Sequence, residues 1–371
     1  MKKLLYTLFA AWLALTGCNS GTRLKVSAPL SPIRTDGTRF IDSEGKTVIL
    51  RGINIVEKNP GMGYIPNDTV ALFDSLAGWG FNCIRLGVIW DGAEPAPGRY
   101  DEAYLGKVAE LCDRAAAHGI YVMLDMHQDL YGRQFSDGAP DWATITDNLP
   151  HATGAIWSDS YLISPAVQRA FDNFWADRPA PDGIGIQEHY VRLWQHIAKR
   201  FSTHPAIIGY DIMNEPFNGS AGAGILPALL MEYATVLAEA TGKVMTEEEI
   251  LTTWADEAKR IEALKFLEDP ARYARVVDAA AELNAAFERS ALQQMYQRVA
   301  DAIRKVDTGH ILFLEHAYFA NSGLPTAIEP VKRGDGSADP LVAYAAHGYD
   351  LLTDTKEVDA QSFDRVDLIF R

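Results

Sequence analysis

Residues 207–216 read IIGYDIMNEP, an apolar run that ends in an amide, a carboxylate and a proline. The stretch 207–213 is too short for a helix and is bounded by His204-Pro205 and Pro216, so it has the pattern of a strand buried on both faces. Strands of that kind belong to parallel sheets covered by helices. A carboxylate at the carboxyl end of one stands where α/β barrels carry catalytic groups. Glu215 is therefore the first candidate for an acid that does chemistry, the plainer alternative being a glutamate that caps the loop opened by Pro216.

The rest of the chain repeats this strand with helices between. A hairpin is expected over 33–49, placed to plug the bottom of a barrel, with strand one over 50–55 behind it. A loop at 59–63 precedes a helix capped by Asn67-Asp68, and strand two covers 82–90. An amphipathic helix over 100–118, strand three over 120–126 and a helix over 186–201 lead to the strand of Glu215. Residues 130–180 read as a long loop rich in Trp, Asp, Ser and Pro, forming an active-site wall. Residues 224–306 read as a helix expanded by a helical insertion that forms a lid or rim. Strands five and six follow at 311–316 and 341–349, and another helix begins near 362. Strict alternation predicts a parallel sheet. Arg51-Gly52-Ile53-Asn54 after strand one is not the glycine-rich phosphate loop of an open dinucleotide-binding sheet.

Composition narrows the partners. A formal net charge of −15 with no basic run argues against nucleic acid or an anionic membrane surface. With 48% hydrophobic residues in 371, a large core is available. Lys2-Lys3 and the apolar stretch 4–15 form a targeting segment too short to span a bilayer. Leu15-Thr16-Gly17-Cys18 resembles a bacterial lipobox, which implies removal of 1–17, lipidation of Cys18 and a tether over 18–32. The chain is then expected in the bacterial cell envelope, membrane-attached through Cys18, or secreted if the signal is an ordinary one. Cys83 and Cys112 lie in apolar strand and helix patterns and read as buried thiols.

Arg85 is a charge inside an apolar strand, costly unless paired, and so faces either a carboxylate cluster or a structural ion-pair partner. Taken in order, Arg51-Gly52-Ile53-Asn54, Ile84-Arg85-Leu86, His127, Asn214-Glu215-Pro216 and His347-Gly348-Tyr349 resemble glycoside hydrolase family 5 from about residue 35 onward. The resemblance implies a (β/α)8 TIM barrel, of which about six β/α units are present over 33–371. It also implies retaining β-glycosidase chemistry with no cofactor and no metal. His127-Gln128-Asp129 and the loop after it look most like the endoglycoceramidase branch, whose enzymes cut the bond between glycan and ceramide.

The resemblance makes Glu215 the acid/base, Asn214 the partner of the sugar 2-hydroxyl, and Arg85 and Tyr349 the support of the nucleophile. It places Lys58, His127, Asp129, Glu315 and His347 in the substrate-binding pocket. The family nucleophile is a glutamate ending strand seven, and this sequence stops in the helix before it. Glu315, Glu329 and Glu357 are not credible replacements. The expectation is thus the N-terminal part of a longer protein, monomeric when complete and inactive as this fragment. The expected partner is a glycolipid or β-glycan. The alternatives are another family 5 β-glucosidase or cellulase-like enzyme, and a surface lipoprotein that binds glycans without turnover.

Overall fold

The computed structural model describes residues 30–67, 69–350 and 362–370. Cys18, Asp68 of the expected helix cap and Glu357 lie outside them. A small antiparallel sheet comes first, made of β1 (Arg34–Asp36), β2 (Arg39–Ile41) and β3 (Thr47–Val48). Six strands then form one sheet in chain order: β4 (Gly52–Ile55), β5 (Cys83–Ile89), β6 (Tyr121–His127), β7 (Ile207–Asp211), β8 (Ile311–Leu314) and β9 (Val342–Tyr344). Every neighbouring pair is parallel. The expected six β/α units are therefore present, with helices between strands as a parallel sheet requires.

The central strands are buried along their whole length because helices cover one face and side chains fill the other. Helices Glu102–Ala117 and Ile186–Phe201 turn an apolar stripe inward, including Leu105, Val108, Leu111, Cys112, Leu193, Trp194 and Ile197. Asp101 caps the first of these, its carboxylate accepting from the N–H groups of Ala103 and Tyr104. Below the sheet, Phe40, Val48 and Leu50 pack on Ile33, Cys83, Tyr121, Ile208, Ile311 and Phe313. Most of that cluster sits at the amino ends of the strands, so the small sheet covers that end of the barrel, and Phe40 lies 6.2 Å from Phe313 between ring centres.

Two expectations change. Residues 130–180 are not an irregular loop, since helices Asp159–Ile163 and Pro165–Trp175 lie within them. The start signal was Ser164-Pro165: the serine hydroxyl accepts from Val167 N–H, and proline occupies the first turn, where its missing N–H costs nothing. Residues 224–306 divide as well. Helix Gln293–Arg304 packs on Ile186–Phe201 as part of the barrel wall, whereas Ile225–Thr241, Glu247–Ala255, Glu257–Phe266 and Pro270–Asp278 form a separate layer. Helix Ile225–Thr241 with the turn before it is long and apolar enough by composition to cross a membrane, and 28% of its most apolar stretch is buried here.

Candidate active site

The carboxyl ends of β5 to β9 meet in one polar cluster. Arg85 on β5 lies two residues below Gly87, which is in register with Asp125 on β6, itself opposite Asp211 on β7. The alternation of strand side chains points all of these to the same interior face. The Arg85 guanidinium reaches Asp125 Oδ1 at 2.8 Å, Asp211 Oδ2 at 2.7 Å and Glu315 Oε1 at 2.6 Å. It also donates to Asn214 Oδ1 at 3.0 Å. Burial alone would lower the Arg85 pKa, but the three carboxylates outweigh it and hold the group well above its ordinary value. Asp211 is pushed the other way, up, by burial first, with the Glu315 and Asp125 charges adding to burial and Arg85 opposing it. Of the two readings left open for Arg85, the carboxylate cluster is the one found.

Glu215 follows β7 with φ at +46°, a left-handed conformation that side chains other than glycine enter at a cost. Its surroundings over-determine it. The backbone N–H donates to Glu315 Oε2 at 2.7 Å, and the Gln128 amide donates to the carbonyls of Asn214 at 2.8 Å and Glu215 at 3.2 Å. Asn214 Nδ2 returns a bond to Gln128 carbonyl at 3.0 Å. The main chain is thereby clamped where the carboxyl group leaves the strand.

His347, beyond β9, joins the two glutamates: Nδ1 donates to Glu215 Oε1 and Nε2 to Glu315 Oε1, each at 2.9 Å. Burial would depress this imidazole, but the two carboxylates raise it to about 11, so it stands charged between them. Burial likewise opposes ionisation of Glu315, and His347, Arg85 and the Glu215 N–H overcome it, holding that carboxyl well below its usual range. Tyr349 stands against Glu215, and burial first, then the Glu215 charge, raises its phenol.

A second polar group lies beside the first. His127 Nδ1 bonds Asp125 Oδ2 at 2.8 Å, and His127, Asp129 and Asp137 bring potential ligand atoms within 4.8 Å of one another. The Lys58 ammonium is already set among them, bonded to Asp129 and 3.7 Å from Asp137. A cation of the protein's own thus occupies the neighbourhood a metal would need. Burial and then the Asp129 charge raise Asp137 to about 6. His127, despite burial, is raised to about 10 by Asp125 and Asp129.

Glu215, Lys58, Asp129 and Tyr349 line one cavity of about 340 Å³. Most of its remaining wall is apolar and comes from the separate helical layer, including Leu226, Leu229, Leu264, Leu267 and Val276. Glu315 is not on the cavity surface. It is buried and ion-paired with Arg85 and His347, and Asn214, His127 and His347 are likewise not among the residues that line the cavity. Glu329 is on the exposed side of the chain.

Asp211 and Asp137 were not singled out from the sequence, and Gln128 was named only as part of a motif. Asp211 is as anomalous in its apolar strand as Arg85, and that symmetry was the available signal.

The family model for cellulase, glycosyl hydrolase family 5, matches residues 41–367. The chain belongs to glycosyl hydrolase family 5. It is similar to endoglycoceramidase I of Rhodococcus hoagii, 30% identical over 212 residues, which cover 54% of this chain and 40% of that one. It is also similar to the endoglycoceramidase of Cyanea nozakii, 32% identical over 219 residues, covering 51% of this chain and 42% of the relative. The chain spans under half the length of these curated relatives. The solved structure of endo-glycoceramidase II from Rhodococcus sp. superimposes with a TM-score of 0.64 at 30% identity, over 89% of this chain and 62% of that one. A structure of the same protein described as a ganglioside GM3 complex gives a TM-score of 0.65 at 29% identity, over 89% of this chain and 63% of that one.

Proposed function

We propose that this family 5 protein is a retaining endo-β-glycosidase that cleaves between the oligosaccharide and the ceramide of glycosphingolipids. The observation that carries the reading is the cavity. Glu215 sits between a charged wall, Lys58 and Asp129, suited to sugar hydroxyls, and an apolar wall of helices suited to a lipid. The endoglycoceramidase relatives support the same assignment.

In a double displacement one carboxyl protonates the leaving oxygen and later activates water, while another attacks the anomeric carbon. Glu215 takes the first role. By the family resemblance Asn214, held by Arg85 and Gln128 next to Glu215, is assigned to the 2-hydroxyl, an interaction that would strengthen in the transition state. Glu315 is unsuited to attack, because one oxygen is held by Arg85 and His347 and the other by the Glu215 N–H. The reading therefore assigns attack to a carboxylate other than those described. Lipidation at Cys18 would hold the protein in the cell envelope, near lipid substrates. This part of the proposal rests on the sequence.

The test uses protein isolated from its native host, a glycosphingolipid in mixed micelles, and mass spectrometry of the released sugar. Intact glycan from wild type, with turnover reduced about 10²–10⁴-fold in Glu215→Gln, is the expected result. The variant should retain more activity on glycosides with acidic phenolate leaving groups, which need no protonation. Release of sugar from soluble β-glucans with indifference to the lipid would replace this reading with a cellulase-like one. Sugar binding without hydrolysis would replace it with a binding protein.

A further inference from the structure

Among the described residues, the apolar arm of the cavity contains a cation that the glycosidase chemistry leaves unused. Arg260, on helix Glu257–Phe266, is 5% exposed and lines the cavity among Ala263, Leu264 and Leu267. Its guanidinium carbon stands 5.2 Å from the ring centre of Trp254, which lines the same wall. Arg260 Nε and Trp254 Nε1 are both buried without a hydrogen-bond partner. Among the described residues, no carboxylate lies within ion-pair distance of Arg260.

This arrangement is unlike that of Arg85. Arg85 is surrounded by carboxylates, whereas Arg260 has an aromatic face and aliphatic neighbours. Burying a cation and orphaning donor groups is costly unless a partner arrives. A hydrocarbon chain alone would leave that cost in place. An oxygen acceptor on the entering lipid would relieve it, and a guanidinium offers several N–H groups in a fixed fork to meet one.

We propose that Arg260, backed by Trp254, forms a polar subsite in the apolar arm that binds an acceptor oxygen on the lipid part of the ligand, an amide carbonyl or a carboxylate. The inference deepens the aglycone reading and shares its cavity. It makes the apolar arm selective for functionalised lipids over plain alkyl chains.

The test needs no sugar and no turnover, so it stands or fails apart from the glycosidase reading. Three probes of equal chain length displace a polarity-sensitive dye from the cavity: N-methyldodecanamide, dodecanoate and 1-chlorododecane. Wild type should bind at least one of the two oxygen-bearing probes about tenfold or more tighter than 1-chlorododecane, as a hydrogen bond to a charged group allows. Which of the two gains more tells an amide-bearing lipid from a fatty-acid anion. Arg260→Met should abolish that preference while 1-chlorododecane binds as before, which also shows the cavity intact. Arg260→Lys, keeping charge without the fork, should retain part of it. Equal binding of all three probes by wild type overturns the proposal whatever the variants do. An unchanged preference in Arg260→Met overturns it as well.

Discussion

Glu315 Oε2 accepts the backbone N–H of Glu215 at 2.7 Å, so a carboxylate that never reaches the cavity surface sets the main chain of one that does. The same side chain is ion-paired with both Arg85 and His347. Glu315→Gln keeps the shape and removes the charge. Breaking one partner out of a buried ionic cluster costs about 3–5 kcal/mol. Urea denaturation should show a loss in that range, and a loss below about 1 kcal/mol would mean that the cluster reorganises around the amide.

His347 ties stability to pH on the alkaline side. Its folded pKa is raised to about 11 from an ordinary value of 6.5. A raised pKa on a base means that the folded state holds the proton more tightly than the unfolded one. The stabilisation is complete below pH 6.5 and is lost as pH rises through about 11. Thermal melts of wild type should fall across this window more steeply than those of His347→Gln. Parallel pH profiles would remove His347 as the source.

Gly209 is required by the close approach of β7 and β8. A Cβ there would lie 2.1 Å from the Ile311 carbonyl oxygen and 2.7 Å from the Phe313 ring. Gly209→Ala should destabilise by about 1–3 kcal/mol, as overpacking of a core does. Gly334→Ala, where nothing lies within 4 Å, should stay within about 0.5 kcal/mol of wild type. Chemical denaturation of the pair decides it.

Leu229 in the apolar wall separates lipid recognition from chemistry, if the proposed function holds. Leu229→Asn removes a contact of about 1.5 kcal/mol or more. The KM for a glycosphingolipid should rise about tenfold, with kcat/KM on a soluble aryl glycoside unchanged. Equal losses on both substrates would place Leu229 outside the lipid path.

The barrel strands were legible because each is a continuous apolar run, and Arg85 announced itself as a charge in one of them. What it faced was not legible. Asp211 is 126 residues away in the chain, and only the parallel register of β5, β6 and β7 brings the two together. Glu215 was legible from its place at a strand end, but the left-handed turn that aims it depends on Gln128 and Glu315, from two other strand ends. The helical layer over 225–278 was visible as helices. Which of its faces lines a cavity depends on packing angles that periodicity does not encode, so Arg260 was not singled out.

The positive φ of Glu215 has a consequence for variation at that position. Glycine or asparagine would sit there with less strain than glutamate, so a library sorted for folding alone should drift toward them. A library sorted for turnover should hold glutamate against that drift. If Glu215 has the role proposed for it, the two selections would pull one codon in opposite directions, and the gap between their outcomes would measure the conformational cost carried at this position.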